Sequence, residues 1–231
     1  MGVDFTSPYY PFEKVQSAYN TFLGAEKLPK KLVDYLLDMP DKNGYQPVDD
    51  NARPRVRLMK YLCYDGANPL GEKLPTPKEK LSVVFDGEAP ILDTAEQRKK
   101  HPLGYRLYPL EYWGQAQKMA QTVLKVYMGR VIPNSAFTAS IGVYFEILCN
   151  YGHENTTRTD DYSRSYNIEQ CLIEALDGVN IGGAGVVSFS RMEHPDNGSR
   201  AIYDQGTNVG RRLHMSLSWA ESDEGKIVTT F

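Results

Sequence analysis

Three cysteines, Cys63, Cys149 and Cys171, are all that this 231-residue chain contains. Their odd number and wide spacing argue against a disulfide framework, and no Cys-x-x-Cys exists to start a zinc ribbon. They read as reduced, buried thiols of a chain folded in cytosol. Histidine is equally sparse: His101, His153, His194 and His214 are scattered, with no His-x-x-x-His spacing, so no metal site and no cofactor are expected. No run approaches the ~18 apolar residues that span a bilayer. The opening MGVDFT is not basic-then-apolar, so no secretory leader is expected, and its likeness to a myristoylation site is weak. No lysine- or arginine-rich block occurs; 26 basic residues face 29 acidic ones, which disfavours duplex nucleic acid as a partner. No Gly-x-Ser-x-Gly elbow is present.

What the chain has is 41% hydrophobic residues, enough for a core in one or two domains. It has 16 tyrosines against 8 phenylalanines, a bias that suits half-buried strands and contact surfaces.

Residues 1–100 read as a helical N-terminal region with loops. Pro11 can open a helix with Phe12, Val15, Tyr19 and Phe22 on one face and Gly24 as its stop. A second helix starts at Pro29, buries Leu32, Val33, Leu36 and Leu37, and ends at Pro40. A third carries Val56, Met59, Leu62 and Cys63. Residues 77–90 fit helix and strand alike, and the charged stretch 92–104 reads as a mobile connection.

Residues 101–231 read as an α+β domain. The segments 122–132 and 138–149 form an antiparallel hairpin through Pro133-Asn134-Ser135. Ile141, Val143, Phe145, Ile147 and Cys149 alternate with Ser140, Tyr144 and Glu146. After a polar loop at 150–163, Asp160 or Asp161 caps a helix that buries Ile168, Cys171, Leu172, Ala175 and Leu176, with Glu169 and Glu174 solvated. Val186–Met192 reads as a strand, 201–203 pairs back, and 211–219 alternates most cleanly, with Leu213, Met215, Leu217 and Trp219 on one face. The expected fold is an antiparallel sheet of about four strands with one helix on a face, in ββαββ order.

Gly182-Gly183-Ala184-Gly185 invites a nucleotide reading. A phosphate cradle needs strand, glycines, then helix. Here the helix comes first, so the glycines serve as a turn, with Gly178 stopping the helix. Other chemistry is thin. A Cys149–His153 nucleophile pair is conceivable, but Cys149 falls on the apolar face of its strand. Tyr105, Tyr108, Tyr112 and Trp113 read as packing aromatics.

The segments RLYPLEYWGQ, GRVIPNSAFTASIGVYFEILCN, YNIEQCLIEALDGVNIGGAGVVSFSRME and NVGRRLHMSLSWAE, within 105–220, resemble the tail-terminator and head–tail joining proteins of tailed bacteriophages. The resemblance implies a non-enzymatic virion protein, assembled in the host cytoplasm, that forms a homo-oligomeric ring, commonly a hexamer. Such a ring caps the tail tube and meets the tail tube protein and the head–tail connector or stopper. It implies no membrane and no sequence-specific nucleic acid, although genome DNA passes through such a ring. The polar loop would then supply subunit or tube contacts through His153, Glu154, Arg158, Asp160, Asp161 and Arg164. The rival expectation is a small cytosolic enzyme with its pocket between the N-terminal helices and the sheet, near Tyr108, Trp113 and His214; a tail tube or stopper protein is the other.

Overall fold

The computed structural model describes residues 23–87, 92, 94–110, 122–135, 138–156, 162–181, 185–192, 194–204 and 208–220. A 3-10 turn, Leu23–Lys27, leads into α1, Leu28–Leu36. Pro29 sits in its first turn, where a missing N–H is harmless, and Leu32, Val33 and Leu36 form the buried stripe with Leu37. The chain leaves the helix at Asp38, which takes a φ of 50° ahead of Pro40. The Asp38 carboxylate accepts from the Tyr45 hydroxyl at 2.7 Å and pairs with Arg55 at 2.8 Å, which holds this turn. Next, α2, Pro54–Cys63, buries Val56, Met59, Leu62 and Cys63. The helix read from Pro11 falls largely on residues outside those described.

Two short helices refine the sequence reading. Residues 77–90 begin as α3, Pro77–Ser82, and the stretch 92–104 contains α4, Ala95–Lys100, where a mobile connection was expected. Each opens with a capping box, Thr76 with Glu79 and Thr94 with Gln97, which satisfies the first free amides. At six residues each, they are too short to display a helical period.

Among the described residues the sheet has six strands: β1 (Leu107–Tyr108), β2 (Thr122–Pro133), β3 (Thr138–Asn150), β4 (Val187–Ser188), β5 (Gly198–Asp204) and β6 (Asn208–Ala220). Its order is β1-β2-β3-β6-β4, with β5 also paired to β6. All pairings are antiparallel except β1 with β2. The α+β class holds; the four-stranded ββαββ order does not. β1 has two residues and shows no alternation. The strand expected over Val186–Met192 shrinks to Val187–Ser188, because Asn197 Nδ2 donates to the Ser188 and Ser190 carbonyls at 3.0 and 2.8 Å and draws the chain into a turn. The expected polar loop at 150–163 starts as α5, Tyr151–Thr156, and is followed by α6, Arg164–Leu176.

Three helices, not one, line one face: α1 packs on β2, α6 on β3 and β6, and α2 on both α6 and β2. The paired residues Leu124–Ile147, Val126–Phe145, Phe145–Leu213 and Ile141–Leu217 point into this layer. With Leu32, Leu36, Leu58, Leu62, Ile168 and Leu172 they form one hydrophobic cluster shared by the N-terminal helices and the sheet.

The glycines act as structural elements. Gly185 has φ 111°, and a Cβ there would lie 1.8 Å from the Ser218 carbonyl oxygen; Gly178 has φ 76° just past α6. Gly182 and Gly183 lie outside the described residues.

Candidate functional site

The six residues read as interface contacts divide into two sets. Arg158, Asp160 and Asp161 lie outside the described residues. His153, Glu154 and Arg164 lie on α5 and at the start of α6, and they bind this chain. Glu154 Oε2 accepts from the Ser165 amide at 2.8 Å, and Oε1 from the Ser165 hydroxyl at 2.5 Å. A carboxylate on the preceding helix thus meets the free amides of the α6 N-terminus. Ser163, at the N-cap, makes no side-chain cap bond. Arg164 is fully buried, and its guanidinium donates to the carbonyls of Tyr61, at 3.1 Å, and Tyr64. His153 Nδ1 stands 3.5 Å from Asp65 Oδ1. Asp65 also takes two 2.6 Å bonds from Arg106. These side chains tie α5 and α6 to the end of α2.

Cys149, fully buried, has its thiol pushed up by burial, and Cys63 and Cys171 are pushed up to about 12 by the same cause. Thiols held in this way are inert. Glu169, expected to be solvated, is 2% exposed and pairs with Arg211 Nε. Glu174, half exposed, pairs with Arg57. Among the described residues, no group of three His, Cys, Asp or Glu could hold a metal ion, and no helix is long and apolar enough to cross a membrane.

The second face of the sheet is polar yet largely shielded. Glu146, 8% exposed, accepts from Arg212 at 2.5 Å, Lys125 at 3.1 Å and the Tyr127 hydroxyl at 3.2 Å. Burial pushes its carboxyl up, but the Arg212 and Lys125 charges more than offset this and hold it below the ordinary carboxylate value. Asn197 donates to two carbonyls and to Ser216 Oγ at 2.9 Å, which fixes its amide. Its Oδ1 must then accept from His214 Nδ1 at 3.1 Å. Burial, then the neighbouring His194, lowers the His214 pKa from the ordinary imidazole value. The His214 ring fits because Gly142 lacks a Cβ; one there would lie 2.4 Å from His214 Nε2. A concavity of about 520 Å³ opens over this network between β3, β5 and β6. Alternation marked these residues as the sheet's other side, but the cover supplied by residues 189–192 and 194–200 has no period to reveal it.

Tyr108 and His214 share this face but sit on strands separated by β2 and β3. The space between helices and sheet, where the rival reading put a pocket, is filled by Leu32, Leu36, Leu62, Leu124 and Val126. Tyr105 and Tyr108 pack with Phe85 and Val123, while Tyr112 and Trp113 lie outside the described residues.

The sheet edge is the remaining feature. Among the described residues, β5 pairs with β6 and with no other strand. Ser199, Arg200 and Ala201 are exposed, Tyr203 is 80% exposed, and Met192 in the preceding turn is 97% exposed.

Together these define a helix-backed, mainly antiparallel sheet protein with an internally bonded polar face and an edge strand, β5, that has no second partner among the described residues. The chain belongs to the YomW family, whose model matches residues 56–212, more than half of its length. YomW is a family of the SPbeta phage region, which associates the chain with phage. No curated protein and no solved structure matches the chain.

Proposed function

We propose that the chain is a non-enzymatic structural protein of a tailed phage that closes into an oligomeric ring at the head–tail junction, where it terminates the tail tube and joins it to the neck. The open β5 edge carries this reading. Seven residues, Gly198–Asp204, present a strand with no proline and with Tyr203 projecting into solvent. Such an edge is completed by a strand or a packed surface from elsewhere. On the opposite side of the sheet, β2 has no second partner beyond Lys125 among the described residues. Two unlike edges on one subunit suit head-to-tail contacts, which close into a ring when the rotation allows. The phage association supplies the setting; the tail tube protein and the connector or stopper are the partners this role requires.

Purified phage particles test the role. Peptides of this chain should be found in them, and antibody label should fall at the neck. Absence from particles, or label along the tail shaft, contradicts it.

A further inference from the structure

We propose that the concavity over the polar sheet face is a binding site for a phosphorylated small molecule, with the phosphate seated on Arg191, Arg200 and Arg212. The site shares β5 with the edge used in the ring reading, since Gly198, Ser199 and Arg200 line the concavity from that strand, but it does not rest on that reading.

The argument begins with a pair of like charges. Arg200 on β5 stands directly opposite Arg212 on β6. Like charges in that register repel unless something between them is negative. Arg212 has the Glu146 carboxylate, but Lys125 shares it. Arg200 has no ion-pair partner among the described residues, and neither does Arg191, which lines the same concavity. Among the residues that line the concavity, Arg191, Arg200 and Arg212 face one carboxylate, Asp196, itself more than half exposed, in a chain whose net charge is −3. A phosphate monoester carries close to two negative charges at neutral pH, and guanidinium forks match its oxygens in paired bonds.

The floor is set in advance. Asn197 Nδ2 is fixed among three acceptors, the Ser188 and Ser190 carbonyls and Ser216 Oγ, and its Oδ1 holds His214. The Tyr144 ring lies against His214 at 4.6 Å and beneath Arg212 at 5.8 Å, offering a flat surface beside the charges. At about 520 Å³ the concavity has room beyond an inorganic anion for an organic part, which would lie beside Tyr144.

Calorimetric titration of the full chain tests this with phenyl phosphate, inorganic phosphate, potassium chloride at matched ionic strength, and a short single-stranded oligonucleotide. The variants are Arg191→Gln with Arg200→Gln together, and Lys42→Gln as an exposed control. Circular dichroism and melting confirm folding, and light scattering confirms an unchanged assembly state. Phenyl phosphate should bind more tightly than inorganic phosphate, and the double variant should weaken it by about tenfold or more, as expected for losing two charge-assisted contacts; Lys42→Gln should leave it unchanged. Three results overturn the proposal: no saturable heat beyond that of chloride, equal binding by wild type and the folded double variant, or oligonucleotide binding far tighter than phenyl phosphate and lost in the same variant, which would assign the surface to nucleic acid.

Discussion

Arg164 shows how much one side chain can hold. Its charge lies within the fold, bonded to the carbonyls that close α2, so α6 and α2 are joined at their ends as well as along their faces. Arg164→Ala removes these two buried bonds and opens a void; we expect a loss of about 3 kcal/mol in urea unfolding. A loss near zero would show that the contact adds nothing. The histidines set the acid side. Burial holds His153 and His214 below the ordinary imidazole value; at His153 it outweighs Asp65, and at His214 the charge of His194 adds to it. As pH falls through about 6.5, the unfolded chain takes up those protons before the folded one, so stability declines there. Unfolding midpoints over a pH series should show this decline, reduced in His214→Gln. A stability that rises on acidification through this window would contradict the assignment.

At the scale of elements, the sequence was most legible where a period ran long. The alternation in β3 and β6 and the apolar stripes of α1, α2 and α6 matched the buried residues. It was least legible where tertiary contacts decide. Glu169 is polar, yet it is buried because Arg211 reaches it from β6. The α6 N-terminus is met by Glu154, on the helix before it, a relation that local capping patterns do not reveal. Three of the six expected interface residues, His153, Glu154 and Arg164, have their polar groups directed at this chain, since charge in a sequence does not say which way it faces. The turn ahead of β4 was legible as backbone geometry. Gly185→Ala should cost about 3 kcal/mol or more, from a strained φ and a Cβ driven against Ser218, whereas Gly66→Ala, with open space around it, should be nearly neutral. Thermal melts of the two decide; equal effects would remove the structural role given to Gly185.

At the scale of the molecule, and among the described residues, the helices cover one sheet face, polar groups and residues 189–192 and 194–200 occupy the other, and β5 has no second partner at the rim. Assembly is therefore expected to run through that rim. Tyr203→Lys, placed where the side chain is 80% exposed, should leave the melting of the subunit nearly unchanged and disrupt association. Sedimentation velocity checks it; an unaltered assembly in a folded variant would move the contact elsewhere. The most direct measurement is the mass of the full chain in solution by light scattering, taken alone and with the tail tube protein, with electron microscopy of the same sample. The account predicts a single discrete multiple of 26.1 kDa appearing as closed rings. A chain that stays at 26.1 kDa at every concentration, with or without the tube protein, would contradict it.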